Sequence, residues 1–153
     1  MSEPTLLHVA EPASHFARRP RLVVDANLLA AVVFTEEAAP QAAALLRGRS
    51  LCAPAIVGLE LANAAMNKVR RGAIGPEDAA SALGEAERLD IECFEVGPRE
   101  AFTLAARYRL SAYDAAYLWL AARLDAPLAT FDARLGEAAR RHLSGGAAGR
   151  PDR

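Results

Sequence analysis

The sequence has 153 residues, a formal net charge of −1 and 52% apolar residues. A chain of this length buries about 68–70% of its unfolded surface, so it can fold as one domain without disulfides or a structural metal. No apolar run approaches the roughly 20 residues of a membrane span, and the balanced charge does not indicate a generally basic nucleic-acid binder.

The elements are predicted from apolar periodicity and from Pro, Gly and capping residues. Residues 1–20 include several charged residues and no continuous apolar segment, so we expect a flexible arm rather than a signal peptide. Strands are predicted at 21–25, 51–53, 91–96 and 127–130. Helices are predicted at 28–34 with Asn27 as the N-cap, 36–47, 54–71, 76–89, 98–110, 111–125 and 132–142. Residues 144–153 are predicted to be a disordered tail, which leaves 21–143 as the folded domain.

Short apolar strands that alternate with helices predict an α/β fold with a parallel sheet and helices on its faces. Four strands are evident in the sequence, and a fifth is not. In such sheets, functional residues gather beyond the carboxyl ends of the strands. Cys52 and Cys93 each lie in a predicted strand, and we expect both to be reduced core residues of a cytoplasmic protein.

Four acids interrupt otherwise apolar segments: Asp25, Glu60, Asp114 and Asp132. Each also has an ordinary structural explanation. Asp25 follows a strand and suits a turn. Glu60 lies on a narrow polar face of a helix, which could simply be exposed to solvent. Asp114 completes a capping box, and Asp132 suits an N-cap. Two acids at strand ends and two near helix starts nevertheless predict one shared site at the same edge of the sheet.

Carboxylates gathered in one site repel each other unless a cation neutralises them. No lysine or histidine lies near the four acids in the sequence, so an oxygen-only pocket for Mg²⁺ or Mn²⁺ is the favoured explanation. Such ions support phosphodiester hydrolysis without a nucleophilic side chain. The sequence has no G-x-S-x-G elbow and no phosphate-binding glycine loop, which disfavours serine hydrolases and nucleotide-binding enzymes.

Four segments resemble the motifs of PIN domains. They are Val-Val-Asp-Ala-Asn-Leu-Leu at 23–29, Pro-Ala-Ile-Val-Gly-Leu-Glu-Leu-Ala-Asn at 54–63, Leu-Ser-Ala-Tyr-Asp-Ala-Ala-Tyr-Leu-Trp-Leu-Ala at 110–121 and Leu-Ala-Thr-Phe-Asp-Ala-Arg-Leu at 128–135. The third motif is the most specific. Their order and spacing over 21–142 are similar to those of VapC-type toxins. The arm before the first strand is longer than in those toxins, and the fifth strand common in the family is not evident.

The resemblance implies a three-layer PIN-like fold with a parallel sheet of four or five strands and a Mg²⁺- or Mn²⁺-dependent endoribonuclease. It makes Asp25, Glu60, Asp114 and Asp132 the catalytic, metal-binding residues, with Asn27 and Thr130 in support. It also implies a homodimer and a cognate antitoxin that lies across the active-site groove. Phosphate contacts to RNA are a further expectation for four arginines, with a solvated helix face as the alternative explanation of each: Arg107, Arg109, Arg123 and Arg134.

Three other functions remain to be weighed. A non-catalytic PIN-like module that binds RNA or protein has little reason to keep a costly acidic cluster. A receiver-type signalling domain needs paired acids after the first strand and a late lysine, which the sequence lacks. A phosphatase of the haloacid-dehalogenase type needs a second aspartate two residues after Asp25, where the sequence has Asn27.

Overall fold

The computed structural model describes residues 19–145. Most of the predicted arm (1–20) and tail (144–153) therefore lies outside the described residues, although Ser144 and Gly145 are helical. In chain order, the elements are β1 Arg21–Val24, α1 Ala26–Val33, α2 Ala39–Leu46, β2 Ser50–Pro54, α3 Val57–Arg70, α4 Pro76–Glu87, β3 Ile91–Phe94, α5 Pro98–Tyr108, α6 Ala112–Leu124, β4 Leu128–Ala129 and α7 Ala133–Gly145.

The strands form a parallel sheet in the order β3-β2-β1-β4. Val23 in β1 is aligned with Cys52 in β2 and Leu128 in β4, so β1 is paired on both sides. Three of its four residues are buried. The α/β fold with a four-stranded parallel sheet is thereby confirmed for residues 19–145, and every carboxyl strand end points to the same edge.

The helices pack in two sets. Helix α1 contacts α2, α3 and α4, whereas α6 contacts α5, α7 and the strands β1, β2 and β4. Helix α6 carries several fully buried side chains: Tyr117, Leu118 and Leu120 have almost no exposed surface. Because α6 packs directly on the central strands, its first turn is held at the carboxyl edge of the sheet. None of the helices within 19–145 combines the length and apolar character needed to cross a membrane.

The start of α1 differs from the prediction. Asp25, not Asn27, is the N-cap: its backbone is extended (φ −82°, ψ 164°), and its side chain accepts a hydrogen bond from the Leu28 amide. Both residue types are good N-caps, and the extended conformation of Asp25 as β1 ends decides between them. Asn27 consequently lies inside the first turn of α1 and is exposed.

Two further predictions are wrong in detail. Pro54 does not begin a helix; it ends β2, where the Ala55 amide continues the pairing to the Phe94 carbonyl, and α3 begins only at Val57. Cys93 is exposed rather than in the core, because β3 is an edge strand that leaves much of its surface uncovered, whereas Cys52 on the inner strand β2 is fully buried. Both cysteines are free.

Candidate active site

Asp25 lies at the centre of the candidate site. Its side chain, in a residue only 3% exposed, accepts hydrogen bonds from the Leu28 amide (2.8 Å) and from the Thr130 hydroxyl. Burial raises the pKa of Asp25 above 3.8, and the charges of Asp114 and Asp132 raise it further, while the two hydrogen bonds oppose the shift. A carboxylate so placed is costly to ionise unless a cation compensates it.

Thr130 links the ends of β1 and β4. Its hydroxyl donates to Asp25 and accepts from the backbone amide of Asp132 (2.9 Å). The Asp132 carboxylate in turn accepts from the Leu135 amide (2.9 Å), which confirms it as the N-cap of α7. One hydroxyl therefore fixes the relative position of two of the four acids.

Glu60 reaches the same edge from the first turn of α3. The buried Tyr117 of α6 donates its hydroxyl to Glu60 Oε1 at 2.9 Å. Burial raises the pKa of Glu60 above 4.5, with smaller contributions from the charges of Asp114 and Asp25. Burial and the adjacent Glu60 charge also raise the pKa of Tyr117, so its hydroxyl stays protonated and remains a donor.

Asp114 is held by the turn that begins α6. The Ser111 hydroxyl accepts from the Asp114 amide (3.0 Å) and donates to Asp114 Oδ2 (2.8 Å). This confirms Ser111 as the predicted cap. The pair restricts the Asp114 carboxylate to the first turn of α6, close enough to the other acids to raise the pKa of Asp25 and Glu60.

The four acids share one structural property: each lies at the N-terminus of a helix. Asp25 and Asp132 cap α1 and α7, and Glu60 and Asp114 lie in the first turns of α3 and α6. The positive ends of four helices thus stabilise the negative charges in part. No lysine, arginine or histidine within 19–145 forms an ion pair with any of them, because the three ion pairs there involve other acids.

The donor set suits a hard divalent cation. All four side chains offer carboxylate oxygens, the ligands that Mg²⁺ and Mn²⁺ prefer. Hydrogen bonds from the described residues engage one oxygen each of Glu60, Asp114 and Asp132 and leave the other without a protein donor. Each carboxylate is held by its own protein partners, and no three acidic, histidine or cysteine side chains in 19–145 converge closely enough to enclose a metal ion.

The remaining predicted residues are at various distances from this centre. Asn27 is exposed, two residues after Asp25. Arg134, just after Asp132, donates from Nη2 to the Arg109 carbonyl at 2.8 Å. Arg107 stacks on the Tyr108 ring, with 5.3 Å from its Cζ to the ring centroid.

Arg123 is in the last turn of α6. It is nine residues beyond Asp114, roughly 13 Å further along the helix axis at about 1.5 Å per residue.

Sequence reasoning missed Tyr117, the partner of Glu60. The apolar segment after Asp114 contains this residue, and tyrosine is common in cores, so nothing in the segment marks it as polar. A signal was available: Tyr117 is three residues after Asp114, so both occupy the same face of α6. A tyrosine on the face that carries a candidate ligand is well placed to donate a hydrogen bond to a second acid. The second role of Ser111, as a donor to Asp114, was likewise missed.

Comparisons with known proteins agree with this fold. The PIN-domain family matches residues 22–141. Ribonuclease VapC3 of Pyrobaculum aerophilum is 32% identical over 122 residues, covering 76% of this chain and 93% of that protein. Ribonuclease VapC9 of Mycobacterium tuberculosis is 32% identical over 116 residues, covering 76% of this chain and 89% of that protein.

A solved structure supports the same fold. The crystal structure of PAE2754 from Pyrobaculum aerophilum superposes with a TM-score of 0.64 and 21% sequence identity, covering 93% of this chain and 100% of that chain. At this identity the likeness concerns the fold alone. The family match over most of the chain and the relatives above 30% identity lead to one conclusion: the chain belongs to the PIN-domain family, among its VapC-type members.

Proposed function

We propose that this protein is a metal-dependent endoribonuclease that hydrolyses RNA phosphodiester bonds and is the toxin of a type II toxin–antitoxin pair. One observation carries the metal-dependent chemistry: a buried Asp25 shares the carboxyl edge of the sheet with three further acids, and no cationic side chain of the described residues pairs with them. Two relatives named VapC ribonucleases, each 32% identical, support the ribonuclease activity and the toxin role.

The catalytic and metal-binding residues proposed are Asp25, Glu60, Asp114 and Asp132. When bound there, Mg²⁺ or Mn²⁺ would neutralise the phosphate charge and lower the pKa of a bound water. The protein's own contribution is to hold the four carboxylates in fixed positions. Burial raises the pKa of Asp25 and of Glu60, so their charges are costly at this edge. An RNA phosphate, itself an anion, is repelled by the four carboxylates unless a cation compensates them.

Supporting polar groups complete the proposed site. Thr130 orients Asp25, since its single hydroxyl proton is donated to that carboxylate. Asn27 contributes an exposed amide in the first turn of α1, beside the Asp25 cap. Of the four arginines predicted to contact RNA, Arg134 is the one nearest in sequence to a site acid. Its hydrogen bond to the Arg109 carbonyl joins the start of α7 to the turn before α6.

Protein partners are proposed for the apolar surface beside the acids. Leu59 and Tyr113, the sequence neighbours of Glu60 and Asp114, are 72% and 57% exposed. Large apolar side chains exposed beside a charged site are typical of a surface that another protein covers. A cognate antitoxin and a second copy of this chain are the partners proposed here. The cytoplasm is the proposed location, since both cysteines are free.

Cleavage of a structured RNA pool by the purified protein tests the activity. The reactions contain Mg²⁺, Mn²⁺ or EDTA, and the variants are Asp25→Asn and Asp114→Asn. Glu87→Gln is the matched control, because it removes one exposed acid outside the site. We expect cutting only with the metal, loss in both site variants and full activity in the control.

Two results would contradict the proposal. Cutting that survives both site substitutions would point to a contaminating nuclease. A folded, metal-bound wild-type protein that cuts no RNA in the pool would favour the alternative, a non-catalytic PIN-like module that binds RNA or protein.

A further inference from the structure

A second polar region lies at the opposite edge of the sheet. A cavity of about 860 Å³ opens beside the amino ends of β1, β2 and β3. Its wall contains four arginines and two acids: Arg19, Arg21, Arg47, Arg49, Asp90 and Glu92. We call this region the arginine cavity. None of these residues belongs to the site formed by the four acids.

The arginine cavity is positively charged although the chain is not. Four arginines against two acids leave an excess of two positive charges, whereas the whole chain has a net charge of −1. Among residues 19–145, Arg21 is the only one of the four in an ion pair, with Glu92 at 3.4 Å. The guanidinium groups of Arg47 and Arg49 are paired with no carboxylate of the described residues.

The fold fixes the backbone from which these arginines extend. Arg47 and Arg49 flank Gly48, whose φ of +70° permits the tight turn between α2 and β2. The Arg49 amide donates to the Leu46 carbonyl (3.2 Å), and the Ser50 amide donates to the Pro20 carbonyl (3.0 Å). This turn is therefore attached to the segment that carries Arg19 and Arg21, and the four arginines come from two neighbouring backbone segments.

We propose that the arginine cavity binds the phosphodiester backbone of the RNA substrate at a point remote from the bond that is cut. Guanidinium groups form paired hydrogen bonds with phosphate oxygens and are the preferred phosphate ligands in proteins. The arginine cavity supplies a positive charge that the acidic site lacks. The inference rests on the proposed function in one respect, that the ligand is RNA.

The geometry favours a structured RNA over a small anion. Arg19 and Arg47 are exposed and Arg21 and Arg49 are partly buried, which suits a solvated polyanion rather than a sequestered ion. Arg21 begins β1 and Asp25 directly follows its last residue, so four residue steps separate them by roughly 13 Å at about 3.3 Å per residue. An RNA that is cut at Asp25 and held at Arg21 must therefore follow the surface past the sheet, as a folded RNA can.

Binding measured without cleavage tests this inference. The full chain carries Asp114→Asn and is kept in EDTA, and the anisotropy of a fluorescent RNA hairpin reports affinity at several salt concentrations. The test pair is Arg47→Gln with Arg49→Gln. The control pair, Arg88→Gln with Arg99→Gln, removes the same charge from exposed arginines outside the arginine cavity.

We expect the test pair to weaken binding roughly tenfold and to reduce the slope of log affinity against log salt by about one for each phosphate that the protein no longer binds. The control pair should change the affinity less than about twofold. Equal weakening by both pairs, no weakening by the test pair, or no binding of the hairpin by the parent protein would each overturn the inference. Displacement of the hairpin by millimolar inorganic phosphate would assign the arginine cavity to a free phosphate instead.

The same design separates this inference from the proposed function. Binding is measured with the catalytic acid replaced and the metal chelated, so it does not depend on cleavage. A wild-type protein that cuts RNA while the test pair binds normally would refute the arginine cavity alone. A wild-type protein that never cuts, while the test pair fails to bind the hairpin, would refute the nuclease alone.

Discussion

Replacing Tyr117 with phenylalanine removes one hydroxyl and leaves the packing of α6 almost unchanged. The residue is 1% exposed and donates to Glu60 at 2.9 Å. A hydrogen bond to a charged group contributes about 1.5–3 kcal/mol to stability. Glu60 is only half-buried, so water can take over part of this interaction, and the lower figure of about 1.5 kcal/mol applies. The expected fall in Tm is about 3–6 °C for a chain of this size.

The effect on function should exceed the effect on stability. Groups that orient metal ligands typically change metal affinity or activity by about 10–100-fold when removed. The assay is isothermal titration with Mn²⁺ together with RNA cleavage at saturating and limiting metal. Tyr117→Phe should lose affinity for Mn²⁺, and its cleavage rate should recover in part at high metal concentration.

Tyr108→Phe is the matched control. Tyr108 also forms a hydrogen bond through its hydroxyl, at 2.9 Å to His142 Nδ1, but away from the four acids. It should lower the stability slightly and leave metal affinity unchanged. If Tyr117→Phe bound Mn²⁺ as the wild type does, or if Tyr108→Phe weakened binding equally, the assignment of Tyr117 as the group that orients Glu60 would be refuted.

Three further predictions concern charge and hydrogen bonding. Asp25→Asn should raise the Tm of the metal-free protein at pH 7. Folding raises the pKa of Asp25, so ionising this carboxyl as the pH rises through its folded-state pKa destabilises the folded protein, and the amide avoids that loss. A lower Tm in EDTA would contradict this prediction. Thr130→Val should lower the cleavage rate about 10–100-fold, because Asp25 loses the hydroxyl that orients its carboxylate. Thr130→Ser keeps a hydroxyl and should restore the rate. Equal rates in the two variants would exclude a role for the hydroxyl. Burial, and to a smaller extent the charge of Arg107, lower the pKa of His142 in the folded protein. The neutral imidazole is therefore favoured by folding, and this stabilisation is present above pH 6.5 and is lost as the pH falls towards the folded-state pKa. The urea midpoint should therefore fall more steeply below pH 6.5 in the wild type than in His142→Gln, and parallel curves would contradict it.

The sequence predicts the sheet edge at which the acids meet, because the position of that edge depends on local patterns of strands and helices. Short apolar strands alternating with helices require parallel pairing, and parallel strands place their carboxyl ends together. Asp25 and Asp132, each directly after a strand, are therefore predicted to share an edge. The caps of α6 and α7 followed from Ser111 and Asp132, because capping involves residues only three apart.

Features that depend on distant pairing did not follow. Tyr117 and Glu60 are 57 residues apart, and no local pattern indicates which acid a buried tyrosine will contact. The exposure of Cys93 depends on β3 being an edge strand, and strand order is not contained in the alternation of elements. Asp25 and Asn27 are equally good caps by residue type, so the choice depended on where β1 stops.

The position of all four acids at helix N-termini also constrains how this gene can lose its activity. An alanine at Asp25 or Asp132 removes a cap as well as a carboxylate and costs about 0.5–2 kcal/mol of stability. Asparagine keeps an oxygen for the cap and loses the charge; at Asp25 it also loses the second oxygen, which accepts from the Thr130 hydroxyl. In a population selected to survive production of the protein, alleles that retain a full-length, abundant but inactive product should therefore be enriched in amide replacements. Alanine replacements at the same codons should instead reduce the amount of protein. The difference in protein level between amide and alanine variants would then show that these acids also begin helices.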